Sequence, residues 1–341
     1  YCGRPVLALC LPWLVPAEKL EFYIGGRRKK SNFSHHKILQ EGNMLFDTHT
    51  HLNNDSFTDE ERVALAAEIE ASDVGLVMDV GFDEPSSLLA AEHANRYPWC
   101  YAVIGMHPHD SKLMDEAMLE RFRQIAKSEP KVKAIGEIGL DFHYDLSPRD
   151  VQRHWFRRQI QLANELKLPI VVHSREADQE VFDILKEEGA FSDERKSWFP
   201  PRRLPTAPSE FDIMGAGGKV LSHRAVAFGG CGGDARVDIH CFSGSRELAI
   251  EYVKAGATIG VDGPLTYKNN KKTVHVVEAI PLEFLMAETD APYLTPVPYR
   301  GKQNKSEYVE FVVRKIAEIK GISYEKAAEA TYENGKNFFG I

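Results

Sequence analysis

The sequence has few cysteines, no long apolar run and no excess of positive charge. Its five cysteines among 341 residues are scattered and form no CxxC motif, so we expect a reducing compartment and no disulfide framework. An apolar stretch near residues 6–15 is interrupted by Pro12 and is too short to span a bilayer. The 42 lysines and arginines are outnumbered by 50 aspartates and glutamates, which gives a net charge of −8. We therefore predict a cytoplasmic protein without membrane contact and without a broad basic surface.

The composition changes at Met44, which is the first methionine of the chain. Residues 1–43 contain the interrupted apolar stretch and a basic cluster at 27–30. We predict that residues 1–43 are a non-native or disordered leader. Residues 44–341 are predicted to form a single domain, because strand and helix patterns alternate from Met44 onward.

Eight short apolar runs in this domain have the character of buried strands. They lack the polar alternation of half-exposed strands, as expected for parallel strands that are covered on both faces. A helical pattern follows nearly every run, so the sequence predicts a (β/α)8 TIM barrel, with an open doubly wound sheet as the alternative. The predicted strands are 44–49, 74–80, 100–106, 132–138, 169–173, 237–240, 258–261 and 283–287. The predicted helices are 59–72, 85–96, 115–128, 148–167, 176–188, 246–255, 271–279, 306–320 and 324–338.

Two helix starts carry capping signals. Thr58 and Glu61 have the spacing of a capping box ahead of the first helix. Ser147 and Pro148 predict a serine cap with proline at the first helical position of the long helix that follows.

Residues 190–235 interrupt the alternation with a proline-rich and then glycine-rich stretch. A segment of this length without periodicity is too long for an ordinary connection, so we predict a surface insertion before the sixth strand. It is either a loop without chemistry or a lid over the active-site cleft. Residues 1–43 carry a charge of +4 and residues 190–235 carry +1, so the other 252 residues carry −13. That number of residues is close to the length of one TIM barrel.

Histidines and carboxylates stand at the ends of five predicted strands. In a TIM barrel these ends meet at one rim, where active sites of this fold lie. Imidazole and carboxylate groups suit Zn²⁺, Mn²⁺ or a similar divalent ion, and a carboxylate between imidazole pairs can bridge two ions. Two such ions activate a water and hold both oxygens of a phosphoryl displacement. The candidate ligands are His49, His51, Glu137, His173, His240 and Asp290.

The chain from residue 44 to 341 resembles the TatD family of metal-dependent deoxyribonucleases, within the amidohydrolase-like barrels. The matching motifs are DTHTH at 47–51, GMHPH at 105–109, GEIGLDFH at 136–143, PIVVHSREA at 169–177, IHCFSGS at 239–245 and ETDAPYLTPVPYRGKQN at 288–304. The resemblance implies a TIM barrel that binds divalent metal and hydrolyses phosphodiester bonds of nucleic acid.

The resemblance also implies roles for the candidate ligands. Glu137 is expected to bridge two ions, drawn from Mg²⁺, Mn²⁺ and Zn²⁺. The first ion is expected on His49, His51 and Asp290, and the second on His173 and His240. Glu137 and Asp290 are the expected catalytic residues, with Asp290 orienting the attacking water.

Four further residues are predicted to contact the substrate. The resemblance implies that His107 lies in the substrate cleft and that Arg300 and Lys302 belong to a phosphate-side loop. Arg175 follows His173 by two residues, so on a continuing strand it faces the same side and can grip a phosphate. Asp141 is predicted either to support a ligand histidine or to cap the loop that follows it.

Three functions are consistent with these residues. The first is a monomeric metal-dependent phosphodiesterase that trims DNA from a 3′ end, with RNA as an alternative substrate. The second is an amide or ester hydrolase, including one acting on an aminoacyl ester of tRNA. Such enzymes often bridge their metals through a carbamylated lysine, so Glu137 favours the phosphodiesterase. The third is a non-catalytic binding barrel, which the complete ligand set disfavours.

Overall fold

Each strand of the protein pairs in parallel with the next strand along the chain, in a computed structural model that describes residues 44–200 and 234–341. The predicted leader and most of the predicted insertion lie outside these residues. The strands β1 to β8 are Leu45–Thr50, Val74–Val80, Cys100–Ile104, Val132–Asp141, Ile170–Arg175, Val237–Ile239, Thr258–Val261 and Leu285–Ala287. All eight predicted strands are therefore present, and their order is the order of the chain.

The first and last strands meet and nearly close the sheet into a barrel. Thr50 and Ala291 form a parallel bridge. The His51 amide donates to the Ala291 carbonyl (2.8 Å), and the Asp290 amide donates to the His49 carbonyl (2.9 Å). This connection confirms the predicted TIM barrel and excludes the open sheet, because β1 and β8 are neighbours only in a closing barrel.

Helices surround the strands on the outside of the barrel. The α-helices α1 to α10 are Asp59–Ala71, Glu84–Arg96, Glu116–Ser128, Arg149–Leu166, Asp178–Glu187, Asp193–Ser197, Arg246–Ala255, Lys271–Ala279, Val309–Lys320 and Tyr324–Phe339. The helix at 193–197 was not predicted, because five residues are too few to show a helical period. None of the helices within residues 44–200 and 234–341 has the length and apolar character needed to cross a bilayer.

One of the two predicted helix caps is confirmed and the other is wrong. The Glu61 amide donates to Thr58 Oγ1 (3.2 Å) and the Thr58 amide donates to Glu61 Oε2 (2.8 Å), as a capping box requires. The long helix α4 begins at Arg149, and Pro148 occupies the cap position without a side-chain bond. Ser147 is used elsewhere, since its hydroxyl donates to the His109 carbonyl (2.7 Å) and accepts from the Lys112 amide (3.1 Å).

A small apolar cluster fills the interior of the barrel. It contains buried residues from six strands, including strands on opposite sides such as β1 and β5. Strands that far apart share a cluster only inside the barrel. Phe46, one of its members, lies near the start of β1 and packs against Phe339 of the last helix, with ring centroids 6.0 Å apart. The apolar cluster thus includes the end of the barrel where β1 begins, and the polar candidate ligands lie toward the other ends of the strands.

The segment next to the predicted insertion is anchored where the strands begin. Arg195 of α6 is fully buried, and its guanidinium donates to the carbonyls of Leu168 and Ala235 (2.8 Å each). These two residues stand two positions before the first residues of β5 and β6. The described residues that flank 201–233 therefore lie at the barrel end opposite the strand ends that carry the candidate ligands.

We predict that Arg195→Met lowers the free energy of unfolding by about 3 kcal/mol, because buried carbonyl oxygens that lose a donor cost roughly 1–3 kcal/mol each. Urea unfolding followed by circular dichroism measures the change. The exposed neighbour Glu194→Ala is the matched control and should remain within about 0.5 kcal/mol of the parent. Equal unfolding midpoints for all three proteins would contradict the anchoring role.

Candidate metal centre

The barrel brings the six predicted ligands together at the ends of β1, β4, β5, β6 and β8. His49 lies one residue before the end of β1, whereas His173 does not end β5 as predicted, because that strand continues to Arg175. Glu137 does not end its strand as predicted, because β4 continues four residues further to Asp141. His240 and Asp290 follow the last residues of β6 and β8.

Glu137 lies at the centre of this group, and its two oxygens face different histidines. Its Oε1 atom lies 2.8 Å from His173 Nδ1 and 3.9 Å from His240 Nε2. Its Oε2 atom lies 3.5 Å from His49 Nε2 and 3.9 Å from His51 Nε2. The carboxylate is almost completely buried, so it separates two sets of nitrogen donors within a site shielded from water.

Asp290 completes the group on the side of β1. Its Oδ1 atom lies 3.3 Å from His51 Nε2 and 3.8 Å from His240 Nε2. The side chains of Asp290 and His173 are 14% and 18% exposed, whereas those of the other four predicted ligands are at most 6% exposed. The centre therefore opens to solvent beside Asp290 and His173.

A glycine in β4 allows the close approach to β5 that positions His173. Gly139 has a φ of +152°, and a Cβ atom on it would lie 1.9 Å from the His173 carbonyl oxygen. Any other residue would push His173 away from Glu137. The glycine two residues after Glu137 is thus required by the packing of the two strands.

Neighbouring histidines and carboxylates in the centre shift the pKa values of one another toward their charged forms. Burial would raise the pKa of Glu137, but the surrounding histidines, His107 foremost, hold it well below its usual range. Burial lowers the pKa of His173, yet hydrogen bonds to Asp141 and Glu137 raise it to about 8. Burial would likewise raise the pKa of Asp290, and His51 keeps it low. Both carboxylates are consequently ionised and available as ligands near neutral pH.

The donor atoms fit divalent metal ions. Both ring nitrogens of His49 are buried and have no hydrogen-bond partner among the described residues, which is costly unless another group binds them. Three sets of side chains each have donor atoms within 4.8 Å of one another. They are His49, His51 and Asp290; His107, Glu137 and His173; and His49, His240 and Glu288.

The resemblance implied a substrate contact for His107, but its side chain lies beside Glu137, among the candidate metal ligands. Its Nε2 atom is 3.6 Å from Glu137 Oε1, and its ring centroid is 4.3 Å from that of His173. Strand β3 ends at Ile104, two residues before its predicted end, and His107 follows it on a turn. His107 caps the 3₁₀ helix Pro108–Leu113 and accepts the His109 amide at Nδ1 (3.2 Å). That turn directs Nε2 toward Glu137, so His107 joins the second set of donors, where the resemblance implied His240.

Asp141 has both of its alternative predicted roles. Its Oδ2 atom lies 3.0 Å from the Nε2 atoms of both His173 and His109. Its Oδ1 atom accepts the amides of His143 (3.0 Å) and Tyr144 (2.8 Å), which fixes the loop after β4. One carboxylate therefore orients a candidate ligand and shapes the rim beside it.

Sequence reasoning missed the groups that orient two of the other three candidate histidines, His240 and His51. Glu288 Oε1 lies 2.9 Å from His240 Nδ1 and accepts the Cys241 amide (2.6 Å). His51 Nδ1 donates to the Val80 carbonyl (2.7 Å), which also accepts from Asn53. A carboxylate or carbonyl on the second ring nitrogen is the usual support for a metal-binding histidine, and it leaves Nε2 free. Glu288 stands two residues before Asp290, and this spacing alone could have indicated a supporting carboxylate.

Asp47 ties the first strand to the segment that carries Asp290. Its carboxylate accepts the amide (2.9 Å) and the hydroxyl (2.7 Å) of Thr289. The group is fully buried, and burial raises its pKa to about 7. It fixes the relative position of His49 and Asp290 from behind the centre.

The remaining predicted substrate residues lie on the rim and do not touch the candidate ligands. Strand β5 continues through Arg175, which keeps it on the same side as His173. Its exposed guanidinium lies over the ring of Tyr144 at 4.7 Å and makes no ion pair within the described part of the chain. Arg300 lies over Tyr267 (4.3 Å) and the Lys302 ammonium over Tyr299 (5.5 Å). All three cations are exposed, and their contact with substrate remains a prediction.

Comparison with known proteins identifies the family. The family model described as TatD related DNase matches residues 46–199 and 220–340, which is most of the chain. Residues 200–219 are left unmatched and fall inside the predicted insertion. The chain belongs to the TatD family of metal-dependent hydrolases.

Curated relatives and solved structures agree with this assignment. The uncharacterized metal-dependent hydrolase YabD of Bacillus subtilis is 41% identical over 299 residues, covering 87% of this chain and 100% of the relative. The uncharacterized metal-dependent hydrolase YcfH of Escherichia coli is 30% identical, covering 87% of this chain and 96% of the relative. The structure of YjjV, a TatD homologue from Escherichia coli, has a TM-score of 0.70 at 26% identity and covers 87% of this chain and 98% of its own.

We predict that Glu288→Gln weakens divalent metal binding by roughly 10–100-fold, the usual cost of losing an outer partner of a ligand histidine. The loss follows because a neutral amide orients and charges the His240 ring less than a carboxylate does. Competition with a fluorescent chelator measures the affinity, and the exposed Glu278→Gln on α8 is the matched control. Affinity equal to that of the parent would show that Glu288 does not support a ligand.

Proposed function

We propose that the protein is a metal-dependent phosphodiesterase that removes nucleotides from the 3′ end of DNA. The observation that carries the proposal is Glu137, a buried carboxylate whose two oxygens face separate histidine sets. A bridging carboxylate between two imidazole sets is suited to a pair of ions. A site with glutamate at this position also favours phosphodiester chemistry over the amide and ester hydrolases that often use a carbamylated lysine.

In this proposal two divalent ions are held on either side of Glu137. His49, His51 and Asp290 would hold the first, and His173 with His240 or His107 would hold the second. When bound, such ions lower the pKa of a coordinated water and neutralise charge on the transferring phosphoryl group. The chain supplies the rigid donors, and the supporting carboxylates Asp141 and Glu288 keep His173 and His240 in place.

Asp290 is the proposed group that orients the attacking water and accepts its proton. It borders the open side of the centre, and its low pKa keeps it ionised and able to accept a hydrogen bond. His51 lies 3.3 Å from the same carboxylate oxygen and fixes its direction. A carboxylate placed in this way lets the proton leave the water during attack on phosphorus.

The scissile phosphate would approach from the rim beside His173 and Asp290. Arg175 is one predicted cation beside that opening, because it lies two residues after His173 on the same strand. Outside residues 1–43 and 190–235 the chain carries a charge of −13, which repels a DNA backbone over most of its surface. Substrate binding should therefore depend on the metal centre together with Arg175, Arg300 and Lys302.

We predict that Glu137→Gln abolishes tight metal binding and lowers the rate of DNA hydrolysis by more than about 100-fold, since even outer partners cost roughly 10–100-fold. End-labelled single- and double-stranded DNA, supplied with Mg²⁺, Mn²⁺ or Zn²⁺, reports the rate and the direction of cleavage. The exposed Glu60→Gln on α1 is the matched control and should cleave at the parental rate. Chelation should stop cleavage by the parent, and added metal should restore it.

Three outcomes decide between the proposal and its alternatives. Digestion of DNA by Glu137→Gln at the parental rate would contradict the metal mechanism. Cleavage by the parent from the 5′ end, or of RNA alone, would correct the substrate. Hydrolysis of an aminoacyl ester or an amide by a parent protein that leaves DNA intact would favour the second class of reaction.

A further inference from the structure

Exposed aromatic and apolar side chains are concentrated at the rim that carries the metal centre. Nine large hydrophobic side chains are exposed among the described residues, and five of them lie in two loops, 142–148 after β4 and 288–305 after β8. These five are Tyr144, Leu146, Tyr293, Leu294 and Val297. Single exposed apolar residues are ordinary, but their concentration in the loops of an active-site rim indicates a binding surface.

The two loops face each other across the opening of the barrel. The eight strands follow the order β1 to β8 and nearly close, so β4 and β8 lie on opposite sides. Glu137 comes from β4, and Asp290 follows β8. A ligand bound over the metal centre would therefore have one loop on each side of it.

Tyr144 lies beside the second set of donors and has three contacts there. Its amide donates to Asp141 Oδ1 (2.8 Å), the carboxylate that also contacts His173. The edge-to-face contact with His109 has a centroid distance of 5.4 Å, and the Arg175 guanidinium lies 4.7 Å from the ring. The side chain nevertheless remains 54% exposed, so the tyrosine is oriented while much of its surface is available.

Tyr293 is held in a comparable way beside the first set of donors. Its hydroxyl accepts a hydrogen bond from Asn54 Nδ2 (2.9 Å), and its amide donates to the Asp290 carbonyl (2.8 Å). The ring centroid lies 6.4 Å from that of His51, and the side chain is 54% exposed. Its position is thus fixed by the same segment that carries a candidate ligand.

We propose that Tyr144 and Tyr293 are stacking platforms for the two nucleobases that flank the scissile phosphate. The inference rests on the proposed phosphodiesterase function and specifies its substrate as the unpaired end of a nucleic acid strand. Every base has a π face, so stacking on tyrosine binds a strand without reading its sequence. Bases inside a duplex are already stacked on each other, which favours an unpaired or frayed end.

The negative charge of the protein favours a way of binding nucleic acid that does not depend on net charge. Most proteins that bind nucleic acid gain affinity from lysine and arginine contacts with phosphates. Here the 252 residues outside the two excluded segments carry a charge of −13, so little of that affinity is available. Stacking contributes roughly 1–3 kcal/mol per base and does not depend on net charge. Arg175 lies beside Tyr144, so a cation that can bind a phosphate stands next to a ring that can stack on the neighbouring base.

A binding experiment with matched oligonucleotides tests the platforms. Two single-stranded oligonucleotides carry a 5′ fluorophore and phosphorothioate linkages that resist cleavage. The first has ordinary nucleotides at its 3′ end, and the second has abasic residues at the last two positions with the same phosphates. Fluorescence anisotropy measures the binding of each to the metal-loaded parent, Tyr144→Ala, Tyr293→Ala and Tyr144→Phe. Val63→Ala, which removes an exposed side chain from α1, is the control.

Each alanine variant is expected to lose between about 5- and 150-fold in affinity for the first oligonucleotide, which corresponds to roughly 1–3 kcal/mol per stacked base. The abasic oligonucleotide should bind the parent weakly and show no further loss with either alanine variant. Tyr144→Phe keeps the ring and should bind within about twofold of the parent, as should Val63→Ala. Circular dichroism establishes that the variants are folded.

Two results would contradict the proposed stacking role of the tyrosines. The first is equal affinity of the parent for both oligonucleotides, and the second is an equal loss of affinity for both in the alanine variants. If the parent cleaves ordinary DNA but shows either result, the proposed reaction stands and the stacking role is wrong. If the parent prefers the base-bearing oligonucleotide and the alanine variants lose that preference, but no phosphodiester is cleaved, the stacking role stands and the proposed reaction is wrong.

Discussion

The structure depends on a single buried carboxylate, Glu137, that is shared by imidazoles from several strands. A buried carboxylate is costly unless opposite charges and hydrogen bonds compensate for the lost hydration. His173 provides a contact of 2.8 Å, and His49, His51, His107 and His240 surround the group within 3.9 Å. The parallel barrel, in which the strand ends converge, supplies these donors to one carboxylate.

The donors are themselves held by a surrounding layer of polar contacts. Asp141 contacts His173, Glu288 contacts His240, and the Val80 carbonyl accepts a hydrogen bond from His51. His49 differs, since its ring stacks on that of His240 with centroids 3.4 Å apart and its nitrogens have no partner within the described ranges. His51 and His240 are thus oriented with Nε2 toward the centre, and His173 contacts carboxylates at both of its ring nitrogens. His49 has nitrogens that only a bound ion or water would satisfy. This arrangement is the physical reason for assigning a metal centre.

Much of the fold and of the centre could be predicted because both follow from short patterns. Uninterrupted apolar runs mark strands that are buried on both faces, and β2 and β7 have the predicted bounds. The convergence of strand ends then places His49, His173 and His240 together without knowledge of any distance. The alternation of elements does not reveal where a strand stops, so Glu137 was expected at the end of β4 although the strand continues to Asp141.

What could not be predicted depends on contacts between residues far apart in the chain. His107 faces Glu137 because the turn at Pro108–Leu113 redirects its ring, and that turn has no periodic signal. The support of His240 by Glu288 joins residues that are 48 positions apart. The role of Arg195 depends on carbonyl groups that precede two different strands. Side-chain chemistry suggested what the residues could do, and the tertiary structure determined which of them meet.

Anomalous X-ray diffraction from crystals grown with Mn²⁺ can show whether Glu137 organises a pair of metal ions. We predict two ions within coordination distance of Glu137, one beside His49, His51 and Asp290 and the other beside His173. Crystals of Glu137→Gln should lose at least one of them. Anomalous density elsewhere in the barrel, or ions that remain in place without the Glu137 carboxylate, would contradict the claim that this side chain organises the centre.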